Sequence, residues 1–394
     1  MSPAQGKLLA YGFASLLQAG HRGVTWAHHV PGDLMTRSHR SGWAWRDVLR
    51  EHCRRCVTGE RRDGGRGEST PRRHAFVMAG GDEERWRSVT RRLTGVAMPR
   101  QYCAFRPGLS LVQETIERLA PVCSYDQLTV VVDRHEGRRA AGQLKDYRGI
   151  DVFDQPTDCG TAIGLLVPLL ELVMTDPDAV VLVTSVDQGV ADTATFRRTV
   201  DRALEAAVER ERIVLVGTRS AGTGEAQGWI VPHRPLHPSG SFVPVARLVH
   251  RAGADTAAAL RRAGGMRSTM VMAAPGRLLI DLYERLCPQV LQLFLFCACL
   301  PAAERRAFVD EAFDGLGQLD LFGDLLAMAE QLVACRLPAA TGWTDLGNEA
   351  ALERYLAAQH AAQRRHPPQP SVTGSVTLSR RARRSAPSPI AADL

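Results

Sequence analysis

Residues 75–85 read Ala75-Phe76-Val77-Met78-Ala79-Gly80-Gly81-Asp82-Glu83-Glu84-Arg85. An apolar run empties into small residues, then acids, then an arginine. Ala75 to Met78 reads as a buried strand. The glycines that follow have no Cβ, so the backbone can take positive φ and bring its N–H groups close to a phosphate. A second segment is built alike. The strand-like run from Ile150 to Phe153 leads to Asp158-Cys159-Gly160-Thr161-Ala162. Loops at the ends of neighbouring strands are where open α/β sheets bind ligands, so the two segments predict one shared pocket.

Outward from them, strands and helices alternate. Strands are predicted at Leu128–Val132, Ala179–Thr184 and Ile213–Gly217, and helices over Leu111–Leu119, Thr161–Met174 and Thr195–Arg210. Continuous apolar strands separated by helices indicate an α/β fold. They predict a Rossmann-like, mainly parallel mixed sheet covered on both faces. Helical patterns dominate from Arg277 to Ala334. The predicted organisation is a basic extension and linker over 1–73, an α/β core over 74–276, a helical part over 277–365 packing on that core, and a disordered basic tail over 366–394. Within the extension, Lys7–Gln18 and Trp43–Arg55 read as helical, and Gly59–Arg73 as a polar linker.

The chain has 394 residues, 45% of them hydrophobic, which supports a sizeable core. A net charge of +7 favours anionic partners: nucleotides, sugar phosphates, nucleic acid or acidic surfaces. Much of the basic excess lies in the flanks, at Arg72-Arg73-His74 and Arg380-Arg381-Ala382-Arg383-Arg384, and says little about the centre. Nine cysteines form no regular framework. Cys53 and Cys56 are a C-x-x-C without a second pair at zinc spacing, so the thiols read as reduced and structural, in a cytoplasmic protein. No clear signal-peptide pattern is present. Leu286 to Leu300 is very apolar but contains Pro288 and Gln289 and falls short of the about 20 residues a bilayer span takes. It reads as a buried helix, and no membrane partner is expected.

The order of motifs along the chain resembles one family, the sugar-1-phosphate nucleotidylyltransferases, and within it the mannose-1-phosphate guanylyltransferase branch. The elements are Ala79-Gly80-Gly81 with Arg85; Pro99-Arg100-Gln101-Tyr102; Gln113-Glu114-Thr115; Gln155-Pro156 with Gly160-Thr161-Ala162; Asp187; Gly228-Trp229-Ile230; and Trp343-Thr344-Asp345-Leu346-Gly347. The resemblance runs from His74 to Leu356. It implies a nucleotide-diphospho-sugar transferase fold and a reaction in which a sugar 1-phosphate attacks the α-phosphate of an NTP and pyrophosphate leaves. The implied substrates are GTP and mannose 1-phosphate or a related pair, with Mg²⁺ and cationic groups around the developing charge.

By resemblance, Gly80 and Gly81 hold the nucleotide base and triphosphate, and Gly160 and Thr161 lie beside base or ribose. Arg85 and Arg100 take phosphate-binding and catalytic roles. Asp187 is catalytic and, with Asp345, a metal ligand. Gly228, Trp229, Arg251 and Ser268 belong to the sugar side. A homo-oligomer is compatible with this reading, and no left-handed β-helix is evident because no hexapeptide repeat appears.

The departures point elsewhere. Glu83 replaces the third glycine of the usual G-G-x-G-x-R. P-K-Q has become Pro99-Arg100-Gln101, S-D-H is Val186-Asp187-Gln188, E-K-P is His250-Arg251-Ala252, and W-N-S/T is Met266-Arg267-Ser268. The asparagine-arginine expected before G-T-A is Asp158-Cys159. These changes motivate a second reading: a catalytically degenerate relative that binds a sugar nucleotide as a regulatory or scaffolding partner. Each residue also has a plain structural reading. Asp187 can cap a helix or turn, Asp345 can cap the helix beginning near Asn348, Arg251 can be a surface cation, and Ser268 can be purely structural. The basic tail reads first as a solvated segment, with nucleic-acid contact a third and weaker reading.

Overall fold

The computed structural model describes residues 71–365, apart from 82–83, 106–107, 220–227, 235–241, 299, 301 and 348. The side chains at 84–85, 302–303 and 360–365 are also outside the description. The expectations for residues 1–70, for the tail from 366, for Glu83 and for the Arg85 side chain lie outside the described residues.

Eleven strands are described: β1 (Arg73–Met78), β2 (Leu128–Asp133), β3 (Asp151–Gln155), β4 (Val180–Ser185), β5 (Gln188–Gly189), β6 (Val214–Thr218), β7 (Trp229–Pro232), β8 (Val243–Val249), β9 (Met266–Pro275), β10 (Val333–Leu337) and β11 (Thr344–Asp345). The α-helices are α1 (Glu84–Thr94), α2 (Leu111–Leu119), α3 (Gly137–Leu144), α4 (Thr161–Thr175), α5 (Thr193–Arg210), α6 (Ala254–Arg262), α7 (Gly276–Leu286), α8 (Pro288–Ala298), α9 (Ala302–Asp314) and α10 (Glu349–Arg365).

Nine strands form one mixed sheet in the order β3-β2-β1-β4-β9-β6-β10-β8-β7. The first four run parallel, as does the β6–β10 pair, while β9 is antiparallel to both β4 and β6. Side chains of β1 alternate between two cores, as strand geometry requires. Phe76 joins α4, α7 and α8 on one face, and Ala75 and Val77 join α2 and α5 on the other. Burial on both faces is why the strand reads as an uninterrupted apolar run.

The sequence placed the first strands within two residues, and α2 residue for residue. Its start is marked by Ser110, whose capping box with Gln113 is formed. The apolar stretch from Leu286 includes α8, a buried helix, as expected. Among the described residues, no helix is long and apolar enough to cross a membrane. The region after Arg277 is mostly helical as read, with two strands, β10 and β11, added. Val333–Leu337 is not part of a helix but is β10, pairing in parallel with β6 inside the main sheet. A five-residue apolar run has no decisive period, and its sheet partner settles the matter. The same strand ties 277–365 into the core sheet.

The topology fixes where a ligand can sit. From β1 the chain moves to β2 and β3 on one side, then returns past β1 to β4 on the other. The switch point therefore lies at the carboxyl ends of β1 and β4. Gly80-Gly81 follows β1, Asp133 ends β2, Gln155 ends β3 and Asp187 follows β4, all on that edge. Because β9 runs antiparallel, its first residues reach the same edge, with Arg267 opposite Thr218.

Candidate functional site

The glycine turn after β1 is held by a carboxylate from the neighbouring strand. Gly81 has φ +96 and donates its N–H to Asp133 Oδ2 at 2.9 Å. Gln155 donates to the other oxygen of the same carboxylate. A Cβ on Gly80 would fall 2.9 Å from Asp133 Oδ1 and 3.0 Å from Gln155 Nε2, so only glycine fits there without movement. Beneath lies Glu136, buried and accepting hydrogen bonds from Gln101 Nε2 and from the Tyr102 hydroxyl. Burial, and then the Asp133 charge, push its carboxyl up to about 7, against the pull of the Gln101 hydrogen bond. The carboxylate and imidazole groups of Asp133, His135 and Glu136 come within 4.8 Å of one another, but Asp133 and Glu136 are already engaged by these donors.

The second predicted loop faces the same space. Gly160 has φ +86 and precedes α4, whose N-terminus opens at Thr161. The Leu319–Leu321 segment lies directly against it. Ala162 N–H donates to Leu319 O at 3.0 Å, Leu321 N–H donates to Thr161 Oγ1 at 2.9 Å, and Thr161 Oγ1 donates to Asp320 Oδ2 at 3.0 Å. Gly80, Gly81, Gly160 and Thr161 all line one cavity of about 750 Å³, together with Gln155 and Arg251. The α4 N-terminus contributes a partial positive charge to this space.

At the same sheet edge, charged groups come together around Asp187. The short ladder of β5 and β11 pairs Asp345 with Gln188, and Leu346 N–H donates to Asp187 O at 2.8 Å. Gln188 accepts from Trp343 Nε1 and donates to Thr184 Oγ1, so the residue standing in place of the family's histidine serves as a strut. Asp187 Oδ2 accepts from Arg100 Nη2 at 3.2 Å, and Asp187 Oδ1 accepts from the Ser185 hydroxyl. Asp345 Oδ1 accepts from Gly347 N–H at 2.8 Å, and Asp345 Oδ2 lies 3.9 Å from Arg267 Nη2. A Cβ on Gly347 would meet Asp345 Oδ1 at 2.9 Å, Asp187 Oδ2 at 3.5 Å and Arg100 Nη1 at 3.7 Å, so the three side chains converge on one point. Arg100 also stacks on Trp86 at 4.6 Å, a contact that suits a flat guanidinium better than an ammonium. Burial, then the Asp187 charge, raise the Asp345 pKa, while Gly347 N–H, Arg267 and Arg100 oppose the rise.

The carboxylates of Asp187 and Asp345 are the hard oxygen donors that a divalent ion would seek. In this arrangement three of their four oxygens accept hydrogen bonds, the fourth lies 3.9 Å from a guanidinium, and two guanidiniums balance the two negative charges. A divalent ion at these carboxylates would have to compete with both guanidiniums.

The sugar-side residues separate. Arg251 lines the cavity, with φ +51. Trp229 is 4% exposed and packs with Ala252 and Leu260, so its ring is core. Gly228 is a packing glycine: a Cβ there would fall 2.0 Å from Phe322 Cε1. Ser268 is buried and its Oγ accepts from Met270 N–H at 3.1 Å, steadying a residue with φ +56 next to an irregularity in the β6–β9 ladder.

Sequence reasoning missed Asp133 and Glu136. A carboxylate ending a strand at the switch edge was the available signal for Asp133. For the Arg267–Asp345 contact there was none, because it depends on the direction of β9.

No protein-family model matches the chain. It is 26% identical over 288 residues to the alginate biosynthesis protein AlgA of Pseudomonas putida, covering 69% of this chain and 55% of that one. It is 23% identical over 289 residues to AlgA of Pseudomonas aeruginosa, covering 69% and 56%. The chain is similar to the AlgA proteins at this level, and its resemblance to the sugar-1-phosphate nucleotidylyltransferases rests on its motifs. Its motifs stand in that family's order on the expected sheet. It spans about half the length of the curated relatives it matches. Among solved structures, a Thermus thermophilus protein described as a mannose-1-phosphate geranyltransferase superposes with a TM-score of 0.60 at 23% identity, over 73% of this chain and 79% of that one. A Helicobacter pylori protein described as a mannose-6-phosphate isomerase gives 0.54 at 15% identity, over 69% and 100%. At these identities the two likenesses show the fold, which this chain shares.

Proposed function

We propose that the cleft binds a nucleoside triphosphate and a sugar 1-phosphate and carries out nucleotidyl transfer, giving a nucleotide sugar and pyrophosphate. The observation that carries this reading is the convergence of Arg100, Asp187 and Asp345 at the sheet edge that also carries the Gly80-Gly81 turn of the cavity. In this reading Gly81 and the α4 N-terminus receive phosphate or base. Arg100 neutralises charge at the reacting phosphate, and Arg251 meets the sugar phosphate. GTP and mannose 1-phosphate are the finer proposal, resting on resemblance to the guanylyltransferase branch. Magnesium, expected by resemblance, would meet the Arg100 and Arg267 guanidiniums at these carboxylates, and no step is routed through it.

One observation favours a second reading, a non-catalytic binder. Arg267 stands where the family has an asparagine, and it pairs with Asp345. The deciding experiment is pyrophosphate release by the full chain across a matrix of NTPs and sugar 1-phosphates, with divalent salts present. Release that needs both substrates and is lost in Asp187→Ala supports transfer. No release from folded protein, together with nucleotide-sugar binding, supports the binder.

A further inference from the structure

We propose that the Arg267 guanidinium takes the place of a divalent cation beside Asp345, so that the Asp187–Asp345 pair is balanced by two arginines and holds no metal of its own. The expectation of a metal here rests on the proposed reading of the cleft. The balance of charge rests only on the side chains.

Three observations converge. First, Arg267 reaches the site because β9 runs antiparallel. It pairs with Thr218 of β6 and Trp229 of β7, at the edge where Asp187 leaves β4. Second, the residue is committed there. Arg267 is 5% exposed, and its Nη2 lies 3.9 Å from Asp345 Oδ2. A buried guanidinium stays charged and needs a nearby anion. Third, Asp187 is matched in the same way by Arg100, whose position is fixed by Trp86 on one side and by the Leu346 carbonyl on the other. A divalent ion coordinated by Asp345 would sit within a few ångströms of a fixed, poorly solvated positive charge, and would have to displace it or bear the repulsion. The asparagine that the family carries at this position is neutral and brings no such charge.

The probe is Mn²⁺ alone, titrated into the full chain near neutral pH and followed by the electron paramagnetic resonance of the free ion. The proteins are wild type, Asp345→Asn, Arg267→Asn, Arg267→Lys and the Arg267→Asn/Asp345→Asn double variant. The expected result is equal uptake by wild type and Asp345→Asn, and a site about tenfold tighter or better in Arg267→Asn. That gain disappears in the double variant, and Arg267→Lys behaves as wild type because charge, not shape, is decisive. Weaker uptake by Asp345→Asn than by wild type overturns the proposal, and so does an Arg267→Asn variant that is folded by near-ultraviolet circular dichroism and gains nothing. Should Arg267→Asn fail to fold, the wild type and Asp345→Asn comparison still decides. Activity is not read here, so a chain inactive in transfer with this binding pattern defeats the functional reading alone.

Discussion

The Gly81 N–H donates to Asp133 Oδ2 at 2.9 Å, joining the turn after β1 to the last residue of β2. A backbone donor at the mouth of the cavity is thus already met by a carboxylate, and that carboxylate is itself held by Gln155. The pairing shapes the turn in the free protein, and in the proposed reading a phosphate would have to compete with Asp133 for the same N–H.

Replacing Asp133 tests how the turn is held. Asp133→Ala removes the acceptor for Gly81 N–H and for Gln155 Nε2. Urea denaturation should show a loss of about 1–3 kcal/mol, the usual cost of stranding buried donors. Asp133→Asn keeps one acceptor oxygen and should lose less. A denaturation midpoint unchanged in Asp133→Ala would show that the turn is held by its other contacts.

Glu136 predicts a pH dependence of stability. Its folded pKa is raised to about 7 from an ordinary 4.5. The folded state therefore favours the protonated acid. That contribution is fully present below pH 4.5 and is lost as pH rises through about 7. The loss is on the order of 3 kcal/mol, at about 1.4 kcal/mol per pH unit. Glu136→Gln cannot ionise and keeps an oxygen for Gln101 or Tyr102. Relative to wild type it should gain stability steadily between pH 4.5 and 7.5, by chemical denaturation at each pH. A difference that stays flat over this interval would refute the assignment.

Arg100→Lys separates charge from shape at the point where the acids converge. Lysine keeps the charge near Asp187 but loses the stack on Trp86 and the fork that also reaches Leu346 O. A destabilisation of about 0.5–1 kcal/mol is expected from the lost cation–π contact. Thermal unfolding of this variant beside Trp86→Leu reads it, because the two changes should not add if they remove the same contact.

Much of this was legible before any coordinates. The Ala75–Met78 run reads as a buried strand, and Gly80-Gly81 as a turn that allows close approach. The apolar spacing of Leu111–Leu119 announced α2. What stayed hidden was whatever depends on strand direction and on partners distant in sequence. Val333–Leu337 is five residues with no period of their own, and pairing with β6 makes them a strand. Arg267 read simply as a lost asparagine, because nothing in a linear sequence says that position 267 meets position 345. Trp229 resembled a sugar contact by its motif, yet its large apolar ring is satisfied by Ala252 and Leu260. A motif gives residue order, whereas burial depends on what packs above it.

Gly228 carries the last prediction, because its two roles make opposite demands. If it borders the sugar, Gly228→Ala should impair ligand binding with little change in stability, and a change at Phe322 should not repair it. The packing argues otherwise. A Cβ at Gly228 would fall 2.0 Å from Phe322 Cε1 and 2.4 Å from its Cζ, well inside contact, with the Phe322 ring buried among α4, α7 and β-sheet side chains. Gly228→Ala should therefore cost about 1–3 kcal/mol by overpacking. Phe322→Ala alone should cost about 3–5 kcal/mol through its cavity. In the double variant the new methyl enters space the ring has left, so the combined cost should fall short of the sum by about 1–3 kcal/mol. Strict additivity in urea denaturation would mean that the glycine is needed for its backbone alone, and would reopen the sugar-side role at this position.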